Sequence, residues 1–203
     1  MKTEQEIFWE GEFGNEYTNR NNSSLINSNI NLFKKVLNPE LKITTIFEIG
    51  FNRGLNLLAL KEINNNLQLN GLEINNYAYE ITKNLNICDK IYNKSIIDFS
   101  EKENYDLVFT KGVLIHINPD KLNDVYQKMY DLSSKYILIA EYYSRDVREI
   151  KYRGNDNKLF KRDFCGELMT KFPKLKLLDY GFVYYRDPLF PQDDTTWFLL
   201  EKQ

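Results

Sequence analysis

A chain of 203 residues suits one α/β domain better than two, and 42% hydrophobic residues are enough for a full core. A net charge of −2 and a pI near 5.6 provide no basic field for nucleic acid or an anionic membrane, and no segment reaches transmembrane length. The single histidine (His116) and two isolated cysteines (Cys88 and Cys165, outside any CxxC) leave no Cys/His zinc site and no expected metal. Lone thiols of this kind fit a reducing compartment, and MKTEQEIFWEGEFG has no apolar run of signal-peptide length, so the protein is expected to be cytoplasmic.

Residues 1–40 read as a helical cap or flap, with an aromatic and Asn-rich stretch followed by amphipathic SSLINSNINLFKKVL. TTIFEIG (Thr44–Gly50) reads as a buried strand and LNLLALKEI (Leu55–Ile63) as a helix. QLNGLEIN (Gln68–Asn75) is a second strand, followed by a helix from Tyr77 to Leu85, and KIYNKSIID (Lys90–Asp98) is a third strand. YDLVFTKG (Tyr105–Gly112) is a fourth, then a helix starts at Asn118 or Asp120 and runs to about Leu132, and KYILIAEYY (Lys135–Tyr143) is a fifth. Residues 144–164 form a polar and aromatic insert. LKLLDYGFVYY (Leu175–Tyr185) and TTWFLLEK (Thr195–Lys202) have no helix between them and read as an antiparallel hairpin at the sheet edge. Strands alternating with helices predict a single α/β domain over 1–203: a Rossmann-like, mostly parallel seven-stranded sheet, helices on both faces, and an antiparallel C-terminal hairpin.

The chemistry is concentrated at strand ends. In FEIGFNRGLNLLAL, Glu48 precedes Gly50 by two residues and Gly54 opens the next helix. Gly50 permits a sharp turn and close approach of a ligand, and Gly54 lets the helix start against the strand. A dinucleotide loop wants GxGxxG; here Asn52 stands at the middle glycine, and a carboxylate ahead of the loop would repel pyrophosphate. Glu73, followed by Ile74, falls roughly twenty residues after the glycine loop, where an acid can hold a ribose diol. Asp98 can accept from an adenine amino group with Ile96 or Ile97 against the ring; an N-cap role is the alternative. Lys111 sits at the carboxyl end of the fourth strand, where ligands bind in open α/β sheets. His116 is the candidate general base, or else a histidine packed under its loop.

Taken together, FEIGFNRG, GLEIN, SIIDF and GVLIHINP resemble class I S-adenosylmethionine-dependent methyltransferase motifs in order and spacing. FWEGEFGNEYTNRN (Phe8–Asn21) and EYYSRDVREIKYRGNDNKLFKRDFCGEL (Glu141–Leu168) resemble the pseudaminic acid biosynthesis-associated methylase family. The resemblance implies S-adenosylmethionine as cofactor, held by Glu48, Gly50, Asn52, Arg53, Gly54, Glu73, Ile74, Ile97, Asp98 and Lys111, and a place among surface-glycan genes.

The outer segments have a physical reading beside it. Tyr17, with Trp9 and Phe13, can cover a sulfonium, and Arg20 can pair with a methionyl carboxylate; capping of the core is the alternative. Tyr142, Tyr143, Tyr152, Arg153, Lys158 and Arg162 can line an acceptor pocket, and the insert's excess of cations suits an anionic sugar or sugar nucleotide. Two other functions compete: a nicotinamide-dependent oxidoreductase, and a non-catalytic cofactor-binding or interaction module. The partner expected is a small-molecule acceptor; the sequence does not fix the oligomeric state.

Overall fold

A computed structural model describes residues 1–203. Five strands lie parallel at its centre: β1 (Thr45–Ile49), β2 (Gln68–Leu72), β3 (Lys90–Tyr92), β4 (Tyr105–Lys111) and β5 (Ser133–Glu141). With β8 (Leu175–Val183) and β9 (Thr195–Lys202) they make one seven-stranded sheet in the order β3-β2-β1-β4-β5-β9-β8. Only β9 runs against the rest, pairing antiparallel with β5 on one side and with β8 on the other.

The apolar runs explain this placement. Ile46, Phe47, Leu107, Val108 and Phe109 are fully buried, as strands covered on both faces require. One face packs under α6 (Leu122–Leu132) and α7 (Phe164–Lys171); the other packs under α3 (Leu25–Val36) and α4 (Leu55–Ile63), while α5 (Asn76–Asn84) joins β2 to β3. Helix α6 buries Leu122, Val125, Tyr126, Met129 and Leu132, the helical spacing of a one-sided apolar stripe. Each such side chain contributes about 1.5–3 kcal/mol by leaving water.

Several expected boundaries shift. The third strand is shorter than Lys90–Asp98: it ends at Tyr92, and Ser95–Asp98 turn away from the sheet. The insert contains a separate hairpin, β6 (Arg148–Tyr152) and β7 (Asn155–Lys161). The expected flap is two short helices, α1 (Glu4–Glu10) and α2 (Glu12–Arg20), ahead of α3. Asp106 opens β4 at the amino-terminal edge of the sheet. Its carboxylate accepts from the Thr44 and Thr45 amides and pairs with Lys135 at 2.8 Å, binding β1, β4 and β5 together.

Candidate active site

Strand order reverses between β1 and β4, the switch point at which open α/β sheets bind ligands beyond their carboxyl ends. A cavity of about 750 Å³ lies there. Its floor is the loop after β1, residues 50–53, together with Leu72–Asn75 after β2 and Lys111–Val113 after β4. Helices α1 and α2 form a roof, and the β6–β7 hairpin and the β8–β9 connector complete the walls.

The loop after β1 is held by its own bonds. Gly50 turns with φ 75°, and a side chain there would strike Val113 at 2.6 Å. Asn52 occupies the left-handed region at φ 48°, which Asn tolerates better than most residues. Every backbone amide from Gly50 to Gly54 is engaged within the protein. Those of Gly50 and Phe51 donate to the Leu72 carbonyl, and that of Gly54 to the Phe51 carbonyl. The Asn52 amide donates to Glu73 Oε2 at 2.8 Å, and the Arg53 amide to Asn52 Oδ1 at 2.7 Å. Glu73 is buried; its second oxygen accepts from the Asn75 amide at 2.8 Å. Burial raises its pKa from the ordinary carboxylate value.

Of the predicted loop and strand-end residues, Gly50, Asn52, Arg53, Glu73 and Ile74 line the cavity. So do Ile97 and Lys111. Glu48 does not: it lies beneath the loop, where Oε1 accepts from Asn56 Nδ2 at 2.6 Å, and Asn56 faces the cavity instead. Burial pushes the Glu48 carboxyl up to about 8, against the pull of its Asn56 hydrogen bond and the Lys111 charge. Gly54 is likewise off the wall; it caps α4 with φ 75°, and a side chain there would meet Thr82 of α5 at 2.9 Å. Asp98 is exposed and outside the cavity, because the turn after β3 carries it into solvent. Ser95, Ile96 and Ile97 line the wall at that place.

The roof was only partly legible. Tyr17 and Arg20 line the cavity as expected, with the Arg20 guanidinium 5.6 Å from the centre of the Tyr17 ring. Trp9 sits edge-on to Tyr17 at 5.2 Å and covers His116 at 4.4 Å between ring centres. Gly14 permits the tight α1–α2 corner, since a side chain there would meet the Trp9 carbonyl at 1.9 Å. Polar staples fix this roof. Asn75 Nδ2 donates to the Trp9 carbonyl and to Asn15 Oδ1, Arg53 Nη1 donates to the Asn21 carbonyl at 2.6 Å, and Gln5 Nε2 donates to the Asn157 carbonyl. Sequence reading missed Glu6 of α1. Its Oε2 closes a capping box with Thr3, whereas its Oε1 has no partner, and the residue is 6% exposed beside Ser95.

His116 lies between Trp9 and Tyr152, on the cavity wall. Its Nδ1 is 2.6 Å from the Lys158 carbonyl, which can only accept. The proton therefore sits on Nδ1, and Nε2 carries the lone pair. Burial lowers the imidazole pKa to about 4, so the ring is neutral at physiological pH. The loop that carries it is clamped by Glu141, at the end of β5, whose carboxylate accepts from the Val113 and Leu114 amides at 3.0 Å each.

The insert contributes fewer residues than expected. Tyr142, Tyr152 and Arg153 line the cavity. Tyr143 is exposed beside Phe198, because it follows β5 on the opposite side from Tyr142. Lys158 is buried away from the cavity in an ion pair with Glu4, and Arg162 is paired with Glu167 at 2.6 Å. The β8–β9 connector adds Tyr185, Pro191, Gln192 and Asp193, none of which the sequence singled out. Most buried polar side-chain atoms that lack a partner belong to residues of this cavity: Glu6, Trp9, Asn29, Asn56 and Gln192. Native proteins rarely leave such groups unmet, so these are the atoms that solvent or a bound ligand meets.

No protein-family model and no curated protein matches the sequence. Solved structures do match in fold. The 1,6-didemethyltoxoflavin-N1-methyltransferase of Burkholderia thailandensis, with that compound and S-adenosylhomocysteine bound, superposes with TM-score 0.71 at 12% identity, over 94% of this chain and 85% of that one. The magnesium protoporphyrin IX methyltransferase of Synechocystis PCC 6803, with S-adenosylmethionine bound, gives 0.70 at 10% identity, over 100% and 99%. An O-methyltransferase from a polyketide synthase multienzyme of Brevibacillus brevis, in complex with S-adenosylhomocysteine, gives 0.66 at 15% identity, over 99% and 80%. The chain has the Rossmann-like methyltransferase fold.

Proposed function

We propose that this protein transfers a methyl group from S-adenosylmethionine to a small acceptor. The observation that carries the reading is the loop after β1. Its amides from Gly50 to Gly54 are all spent inside the protein, so none is free to cradle a pyrophosphate, while the cavity above it has buried polar atoms without partners. A nicotinamide dinucleotide rests its pyrophosphate on free amides of the glycine loop and of the helix start that follows, and the loop's share is missing here. A sulfonium nucleoside needs none of them. The fold's likeness to methyltransferases with S-adenosylmethionine or S-adenosylhomocysteine bound supports the same choice.

The residues present fit that cofactor. Ser95–Ile97 would pack on the base, and Glu6, whose buried carboxylate lies beside the Ser95 hydroxyl and keeps acceptor capacity beyond its Thr3 bonds, would accept from its amino group in place of Asp98. Glu73 would receive the ribose with the acceptor capacity its two amide bonds leave unused. Trp9 and Tyr17 would shield the positive sulfur, and Arg20 at the rim would meet the carboxylate.

When bound, the cofactor supplies a methyl carbon on sulfur: the acceptor's lone pair forms a bond to that carbon as the carbon–sulfur bond breaks. The protein aligns the acceptor and excludes water under the α1–α2 roof. His116 would take the acceptor's proton on Nε2. Its low basicity means that it accepts the proton only as the new bond forms and the acceptor becomes acidic. The anionic sugar of pseudaminic acid type that the insert's cations suggested loses most of its support, because Arg153 is the one insert cation at the wall and Lys158 and Arg162 are paired elsewhere. The test is transfer of labelled methyl from S-adenosylmethionine to a panel of small acceptors. Label appearing in an acceptor, and lost in His116→Asn with S-adenosylhomocysteine affinity retained, supports the reading; no transfer to any class of acceptor contradicts it.

A further inference from the structure

The half of the cavity under β4 and β5 has polar walls that are mostly paired already. Asn118 donates to Gln5 Oε1 and accepts from the Asp120 amide. His116 Nδ1 is taken by the Lys158 carbonyl, and the Tyr142 hydroxyl faces the Asp193 carboxylate. Gln192 differs. It is 7% exposed, and neither its Nε2 nor its Oε1 has a partner.

Its place follows from the sheet. Strand β9 pairs with β5 in the register Glu141↔Thr196, so the connector before β9 runs over the carboxyl ends of β5 and β4. There Gln192 lines the cavity with Tyr142, Tyr152 and Tyr185. A buried carboxamide with both groups unmet destabilises the free protein, and a leucine would fill a similar volume without that cost. A primary amide presents one donor and one acceptor side by side in a plane. Its complement is an edge that offers an acceptor beside a donor.

We infer that Gln192 recognises the acceptor through a cis-amide edge, an N–H beside a C=O, as in a lactam ring or a primary carboxamide. Calling that ligand the acceptor rests on the methyl-transfer reading; the recognition itself does not. The probes are 2-pyridone with N-methyl-2-pyridone, and benzamide with N,N-dimethylbenzamide, titrated by ligand-observed NMR into the free protein and into protein saturated with S-adenosylhomocysteine. The unblocked member of a pair binds about tenfold tighter than its methylated partner, the value of one or two net hydrogen bonds. The pair that shows the larger preference tells a ring lactam from an open carboxamide. In Gln192→Leu the preference collapses to about twofold or less, S-adenosylhomocysteine affinity is unchanged, and the melting temperature is equal to or above that of the parent. Gln192→Glu, which only accepts, moves the preference to the two-donor edge of benzamidine. Equal binding of blocked and unblocked probes, binding of neither, or a preference that survives in Gln192→Leu overturns the inference. Failure of S-adenosylhomocysteine to bind overturns methyl transfer instead, while the probe pairs on the free protein still decide the role of Gln192.

Discussion

Replacing Glu73 by Gln tests the loop geometry with the smallest change of shape. The carboxylate accepts two backbone amides, Asn52 at 2.8 Å through Oε2 and Asn75 at 2.8 Å through Oε1. A carboxamide has one oxygen, so one amide would face an NH2 group and lose its acceptor. An orphaned buried N–H costs about 1–3 kcal/mol, and the surviving bond drops from charge-assisted to neutral strength, about 1 kcal/mol more. Glu73→Gln should therefore lose about 2–4 kcal/mol of stability, read by urea unfolding. Either amide belongs to a residue that lines the cavity, Asn52 or Asn75, so the wall around the cofactor loosens as well. Affinity for S-adenosylhomocysteine should fall by about tenfold or more in calorimetry, one lost charged hydrogen bond. Full stability together with full affinity in this variant would refute the argument that Glu73 organises the floor of the site.

Three further outcomes follow from the same geometry. Asp98→Ala should leave S-adenosylhomocysteine affinity unchanged, whereas Glu6→Gln should weaken it about tenfold, the value of a charge-assisted bond to the base; the reverse pattern would return the role to Asp98. His116 has a folded pKa near 4 against about 6.5 unfolded, so the unfolded chain binds more protons between these values and stability falls on acidification; by pH 5 this costs about 2 kcal/mol. The melting temperature of His116→Asn should therefore rise relative to the parent between pH 7.5 and pH 5, and a constant difference would contradict burial of a neutral ring. Arg53→Met removes the staple to the Asn21 carbonyl, and should speed dissociation of S-adenosylhomocysteine in stopped flow while costing about 1–2 kcal/mol of stability.

The order of elements was readable because buried parallel strands are continuous apolar runs, and because FEIG ends at the switch point with GLEIN closing the strand beside it. The places of Gly50, Asn52 and Glu73 on the cavity wall were legible for the same reason: a strand end plus a turn residue fixes position in space. Asp98 misled because the length of β3 depends on pairing with β2, which Asn70–Leu72 supply for three residues only. The insert's cations misled because charge count carries no direction; Lys158 is taken by Glu4, far away in sequence, and Arg162 by Glu167. Gln192 gave no local signal, and Glu6 gave only its capping-box pattern. Their importance lies in what they fail to pair with, which only the packed structure defines. The one available hint for Glu6 was the capping-box pattern Thr3-x-x-Glu6, which explains one of its oxygens and leaves the other free.

The central claim is that this cavity holds a sulfonium nucleoside and no dinucleotide. Calorimetry with S-adenosylhomocysteine and with NAD, on the same preparation, tests it most directly. The account predicts saturable binding of S-adenosylhomocysteine that is weakened in Glu73→Gln, and no saturable heat with NAD, whose pyrophosphate finds no free amide between Gly50 and Gly54. Tight NAD binding with none for S-adenosylhomocysteine would contradict it.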